Sequence, residues 1–281
     1  MADGNGHGRI TIAGLAFAFL MLVLIIVSLW LFIGRPWWFP ELASVRGGDI
    51  DGVFSAVLIV TGIAFVGVQG ILGYFVARYG SRGTERAGYW HDNPKAEAGL
   101  LIGTAVIMTI LVFMGQRVWA SIYFTDAPPG TMEVQVTGQQ FAWNFHYAGP
   151  DGVFGRTDAK LITTDGTNEV GLDRKDPAAK DDIVVTNEMH VVVGKPVKVR
   201  LRSKDVIHSF FLPNMRVKQD AVPGMSILVW LEPTRAGEFE LACAELCGAQ
   251  HYRMKARLIV EKSEQDLNNW IKSKQADQAG N

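Results

Sequence analysis

Three long apolar runs without a charge lie in the first 124 residues, and shorter alternating apolar and polar runs fill most of the remainder. Residues 10–34 and 53–77 each give 25 uncharged positions, and residues 98–116 give 19 more. About 20 apolar residues cross a bilayer as a helix. The third run extends to about residue 120 when Arg117 lays its aliphatic stem along the lipid and its head reaches the interface. The pattern therefore predicts membrane spans at about 10–34, 53–77 and 98–120. A buried core helix is the alternative for any one of them, but three in succession at this length favour lipid. Residues 10–34 also exceed the roughly 7–15-residue apolar region of a signal peptide, so this segment is expected to be retained.

The short loops set an orientation. Arg78, Arg82, Arg86 and Lys95 lie between the second and third runs, against Arg35 and Arg46 between the first and second. The positive-inside rule places the four-cation loop in the cytoplasm. The amino terminus is then cytoplasmic and the carboxy-terminal part extracytoplasmic, which in a bacterial inner membrane means periplasmic. Trp37, Trp38, Tyr89 and Trp90 suit an interfacial aromatic belt.

After the third run, Thr125, Asp126, Ala127, Pro128, Pro129 and Gly130 read as a stiff linker. Residues 132–136, 197–202, 238–241 and 255–260 alternate or nearly so, and residues 227–231 form a more apolar run. Short strands with Gly, Pro and Asp punctuation predict an antiparallel sandwich or barrel over residues 131–262. Residues 148–182 are polar and turn-rich, and read as an excursion from the sheet. Ser263 through Asp266 begin a terminal helix with an approximate capping box, leaving 263–281 as helix and tail. The fold class expected is α + β: three membrane helices followed by an extracytoplasmic β domain.

Composition narrows the function. The net charge is −1, and residues 131–281 carry 19 basic and 20 acidic side chains. A nucleic-acid binder would show a basic excess, so nucleic acid is not an expected partner. Two cysteines among 281 residues exclude a disulfide framework. No Cys-x-x-Cys-His run is present, so the chain carries no covalent c-type haem of its own.

Both cysteines fall in one short stretch: Cys243, Ala244, Glu245, Leu246, Cys247, Gly248, Ala249, Gln250, His251, Tyr252, Arg253, Met254. His208 lies 35 residues before Cys243. Thiolate, imidazole and thioether donors together favour copper. A single blue-copper site takes one Cys, two His and an axial Met, and here there is one thiolate more. Two bridging cysteines could hold two ions, with one histidine capping each. Spacing alone also leaves open a disulfide, which an extracytoplasmic compartment permits, and a Cys2His2 zinc site.

The pattern Cys-x-Glu-x-Cys-Gly-x-x-His-x-x-Met over 243–254 resembles the dinuclear CuA signature of subunit II of the haem–copper cytochrome c oxidases. The segments 205–210 (Asp-Val-Ile-His-Ser-Phe) and 218–224 (Lys-Gln-Asp-Ala-Val-Pro-Gly) resemble that family too, and the likeness spans about residues 53–273. The resemblance implies a cupredoxin-like Greek-key β-barrel. It implies that Cys243 and Cys247 bridge two coppers, that His208 and His251 are terminal ligands, and that Met254 and the main-chain carbonyl of Glu245 are weak ligands. The Glu245 side chain would face a magnesium ion shared with subunit I; otherwise it is a polar loop residue facing solvent.

The same resemblance implies partners and a reaction. Electrons would come from a cytochrome c-type donor and pass to haem in subunit I, where oxygen is reduced and protons are pumped; subunit III would complete the complex. Gln140 through Tyr147 resemble the family's Gln-Trp-x-Trp run, whose first tryptophan accepts the electron. Here that position is Phe141, and Trp143 remains; both aromatics could equally serve sheet packing. Glu97 resembles the family's glutamate at the cytoplasmic mouth of a proton-uptake channel, although its spacing from His91 differs; a carboxylate at a helix amino terminus is the alternative. Family members commonly have two spans, so residues 10–34 are additional. That span either binds another subunit of a larger assembly or only anchors the chain; a fused or permanently docked donor in a respiratory complex would not need the acidic excess that steers a cationic one.

Overall fold

The computed structural model describes residues 11–34, 39–79, 92–163 and 165–279. Trp37, Trp38, Tyr89, Trp90, Arg35, Arg82, Arg86 and His91 lie outside the described residues, so the expected aromatic belt and part of the loop charge are not placed.

Each apolar run forms one helix: α1 (Ile12–Ile33), α2 (Gly47–Tyr79) and α3 (Pro94–Tyr123). All three are long and apolar enough to cross a membrane. Their starts are chemically marked. The Thr11 hydroxyl accepts from Gly14 N at 3.0 Å, and the Asn93 side chain accepts from Ala96 N at 3.2 Å ahead of Pro94. At 33 and 30 residues, α2 and α3 run about 50 and 45 Å at 1.5 Å per residue, longer than the roughly 30 Å hydrocarbon layer. The first two helices cross where small residues meet. A Cβ on Gly14 would stand 3.0 Å from the Ala77 Cα, and one on Gly73 would stand 3.7 Å from the Ala18 Cα. Each helix thus offers a Gly-x3-Ala step that lets the backbones approach.

Ten strands build the other compact unit: β1 (Met132–Gln139), β2 (Ala142–Tyr147), β3 (Ile183–Thr186), β4 (Glu188–Val192), β5 (Val197–Ser203), β6 (His208–Leu212), β7 (Val217–Ala221), β8 (Ile227–Leu231), β9 (Gly237–Cys243) and β10 (Lys255–Glu261). They form two five-stranded sheets, ordered β3-β2-β1-β5-β8 and β4-β10-β9-β6-β7. This is the cupredoxin-like β architecture that the resemblance implies. The sheets are not wholly antiparallel, because β1 pairs parallel with β5, and β4 with β10. Both exceptions join strands distant in sequence, where no hairpin turn dictates direction.

Alternation along the strands fills the space between the sheets. Val134, Val136, Trp143, Phe145, Phe210, Leu241 and Leu258 have no exposed surface. The excursion over 148–182 is pinned to β2 by a buried pair: His146 Nε2 lies 2.6 Å from Asp182 Oδ2, which also accepts from Gly155 N at 2.8 Å. The last helix, α4 (Glu264–Ala279), starts where Ser263 Oγ accepts from Asp266 N at 3.2 Å. It is held by Trp270, stacked 3.9 Å from the His190 ring.

This unit also includes Pro40–Ile50, the connection between α1 and the body of α2. Ala43 N donates to Asn214 O at 2.8 Å, Thr234 N donates to Ala43 O at 2.9 Å, and Val45 N donates to Glu232 O at 3.1 Å. The Ser44 hydroxyl donates to Met215 O at 2.7 Å. Arg46 lies 3.9 Å over the Trp230 ring, whose Nε1 donates to Thr125 O at 2.8 Å. A segment with no periodic pattern of its own has become an extra edge of the β domain.

Candidate metal centre

Register delivers the donor residues to one end of the second sheet. In the β6–β9 pairing Phe210 faces Cys243. His208 therefore stands at the first position of β6, beside the point where the chain leaves β9. Cys243 N donates to Met254 O at 3.0 Å, and Ala244 N donates to Ser209 O at 3.0 Å. These bonds clamp both ends of the 244–253 loop to strands. Gly248, at φ +139°, adopts a backbone that other residues rarely reach, and His251–Arg253 form a 3-10 turn that places Met254 inward.

The six donor atoms converge. Cys243 Sγ lies 3.9 Å from Cys247 Sγ, 4.0 Å from His208 Nδ1 and 3.2 Å from Glu245 O. Cys247 Sγ lies 3.6 Å from His251 Nδ1 and 3.7 Å from Met254 Sδ. His208 and Met254 are fully enclosed, the cysteines nearly so, and His251 is half-buried. The sulfurs are free thiols rather than a disulfide. At 3.9 Å they are well beyond an S–S bond of about 2.05 Å, and within reach of a shared ion at about 2.3 Å from each.

The charges already lean toward cation binding. Burial opposes ionisation of Cys243, but hydrogen bonds from His208, the Ser209 segment and Glu245 outweigh it and pull the thiol down to about 6. Burial and the neighbouring Cys243 charge push Cys247 up to about 11. Burial disfavours the charged form of His208 too, yet its bonds to Cys243 and Asp205 raise its pKa. A cation bound among these donors would take the place of protons on the thiols and His208.

Three residues that spacing did not single out shape the pocket. Asp205 Oδ1 lies 2.8 Å from His208 Nε2, so the imidazole turns Nδ1 toward Cys243. A carboxylate three residues before the histidine was the available signal. Gly138 lies under the same ring: a Cβ there would stand 2.9 Å from His208 Cδ2 and 3.1 Å from Trp143 Cζ3. Gln140 reaches the Cys247 carbonyl with its side-chain amide at 2.5 Å.

The aromatic run divides. Trp143 is completely enclosed, its ring 5.9 Å from that of His208 and 5.7 Å from that of Phe210. It offers no surface to a donor. Phe141 is half-buried and packs against Gly248 of the donor loop. Glu245 is exposed, and its main-chain carbonyl is the atom that reaches Cys243. Glu97 is exposed in the first turn of α3, far along the chain from this pocket.

Residues 132–262 match the family model described as cytochrome c oxidase subunit II, periplasmic domain. The alternative cytochrome c oxidase subunit 2 of Bradyrhizobium diazoefficiens is 39% identical over 247 residues, covering 88% of this chain and 87% of the relative. The chain belongs to the cytochrome c oxidase subunit II family. The cytochrome c oxidase subunit 2 of Thermostichus vulcanus is 29% identical over 266 residues, covering 84% of this chain and 78% of the relative. A crystal structure of the periplasmic domain of subunit II of cytochrome oxidase of Bradyrhizobium japonicum is 28% identical, with a TM-score of 0.39, covering 54% of this chain and 99% of that one. Membership of the subunit II family makes the chain a component of an oxidoreductase complex and implies copper binding. The donor set fits: two thiolates, two imidazoles and a thioether are soft ligands that suit copper, and they outnumber the four of a closed structural zinc site.

Proposed function

We propose that this chain is the electron-accepting subunit of a haem–copper terminal oxidase, built around a dinuclear CuA centre. The carrying observation is the 3.9 Å sulfur pair flanked by His208 Nδ1 at 4.0 Å and His251 Nδ1 at 3.6 Å. Cys243 and Cys247 would hold the coppers between them, with His208 and His251 as further ligands and Met254 Sδ and Glu245 O as weaker donors. Bound copper supplies one-electron exchange between its two oxidation states. The chain's own residues supply rigidity. Strands hold both ends of the ligand loop, and Asp205 fixes the His208 ring, so the donors move little when the charge at the centre changes.

In this reading the subunit takes electrons from a cytochrome c-type donor and delivers them to haem in subunit I, with subunit III completing the assembly. Oxygen reduction and proton pumping belong to subunit I. Phe141, half-buried against Gly248, would lie toward the electron donor, and Trp143 backs His208 from within. The exposed Glu245 carboxylate suits a magnesium ion shared with subunit I, a hard cation that takes oxygen ligands.

The connection at 40–46 supports a topology. Its bonds to Asn214, Met215, Glu232 and Thr234 put the α1–α2 connection on the same side of the membrane as the β domain. The start of α1 and the cationic connection between α2 and α3 then lie on the other side, in agreement with the positive-inside rule. The β domain is extracytoplasmic, the amino terminus is cytoplasmic, and Glu97 stands at the cytoplasmic end of α3, suited to a proton-uptake mouth in subunit I.

Metal analysis of the assembled oxidase tests the reading. Two coppers per copy of this chain, with near-infrared absorption from the thiolate-bridged pair, are expected. Zinc in their place, or loss of copper with an intact complex, overturns it.

A further inference from the structure

The turn between β1 and β2 touches both of the segments that carry donor residues. Gln140 N donates to Asp205 Oδ2 at 2.7 Å, and Asp205 Oδ1 in turn meets His208 Nε2 at 2.8 Å. The side-chain amide of the same residue donates to Cys247 O at 2.5 Å. One residue thus reaches His208 through a carboxylate and Cys247 through its own carbonyl. These two segments are 35 residues and more apart in the chain, and backbone bonding between β6 and β9 joins them as far as Ser209 and Ala244. Beyond that pair the loop leaves the sheet, and Cys247 has no ladder partner of its own.

Packing closes the same joint. A Cβ on Gly248 would fall 2.8 Å from Gln140 Nε2 and 3.0 Å from Phe141 Cζ. The side chains of Gln140 and Phe141 therefore lie against the residue after Cys247, whose φ of +139° already favours glycine. The amide of Gln140 is the single hydrogen-bonding link across this contact among the described residues.

We infer that Gln140 is a positioning residue for the metal centre: its side-chain amide fixes the Cys247 carbonyl, and with it the separation between Cys247 and His208. This rests on the copper reading, and it assigns Gln140 a role through Cys247, with no contact to an ion. Outer partners of metal ligands typically carry about 10–100-fold in metal affinity, and Gln140 holds a ligand's main chain in the same way.

The test uses the detergent-purified full chain in its oxidase complex and the variants Gln140→Met and Gln140→Glu. Methionine keeps the length and volume of glutamine and cannot donate; glutamate sets a carboxylate against the carbonyl. Two readouts are needed. Copper competition with a chelator is expected to show about tenfold weaker binding for Gln140→Met and weaker still for Gln140→Glu, with a shifted near-infrared band. Hydrogen exchange in the copper-free protein is expected to accelerate about tenfold over 244–252 while β1, β5 and β10 keep their protection. If Gln140→Met matches the unaltered chain in both readouts, the side chain serves only as filling and the inference is wrong. Absence of copper from the unaltered chain would instead remove the copper reading, and the exchange experiment would still decide whether the amide fixes the loop.

Discussion

His208 and Asp205 meet at 2.8 Å, ring nitrogen to carboxylate, at the start of a strand and three residues apart. The contact uses Nε2 and so commits Nδ1 to the sulfur side. It also explains why a fully enclosed histidine has a charged partner: Asp205 keeps part of its carboxylate at the surface, and Gln140 N and Val206 N donate to it at 2.7 Å each.

Removing that carboxylate should loosen the ring. Asp205→Ala is expected to weaken copper binding by about tenfold or more, and Asp205→Asn, which still offers a carbonyl oxygen, by less. Chelator competition on the assembled complex measures both. Equal affinity in the alanine variant would mean that packing under the ring suffices to orient it.

Gly138 supplies that packing. In Gly138→Ala the new methyl would fall 2.9 Å from His208 Cδ2, against two enclosed rings that cannot swing aside. Overpacking of this kind costs about 1–3 kcal/mol. Thermal unfolding should shift downward and the near-infrared band should move. A stable variant with an unchanged band would show that His208 tolerates displacement.

The bridging role proposed for Cys247 predicts a sharper loss. Cys247→Ser should abolish the two-copper spectrum, because a hydroxyl is a poor bridge for a soft ion. Retention of the near-infrared band in this variant would refute bridging.

The C-terminal helix carries a separate pH dependence. Glu188 on β4 faces His190 of the same strand, Arg257 of β10, and Trp270 and Lys274 of α4; His190 also meets Glu261 at 2.7 Å. Burial opposes ionisation of Glu188, but bonds from His190 and Trp270 outweigh it and its pKa is lowered. A folded pKa below the unfolded one gives stability that is complete above the ordinary glutamate value of about 4.3 and lost as pH falls through the folded value. Protection of 264–279 against hydrogen exchange should therefore decline below about pH 4. Glu188→Gln should flatten that decline; an undiminished decline would place its origin in another group.

The donor loop was the most legible part of the chain. Its four side-chain donors, Cys243, Cys247, His251 and Met254, share one short stretch, so spacing alone assembles them, and His208 came in through the family likeness of the 205–210 segment. The three apolar helices were legible for the same reason, since length and lack of charge decide lipid partition locally. What escaped was determined by distance in the chain. Ala43 and Ser44 show no pattern because their partners, Asn214, Met215 and Thr234, are remote. The parallel pairing of β1 with β5 and of β4 with β10 depends on how the sheets close. Gly138 and Gln140 matter only because β1 and β2 bring their turn beneath a loop a hundred residues later, with Gln140 and Cys247 separated by 107 positions.

The docking of the α1–α2 connection also imposes an order on biosynthesis. Ser44 leaves the ribosome 171 residues ahead of Met215, which at about 5–20 residues per second is roughly 10–30 s of waiting. Until Asn214, Met215, Glu232 and Thr234 have been made, the peptide groups at 43–45 lack the partners that the folded protein gives them. Docking of this latch is therefore a late step, which waits for the strands and turns that it joins.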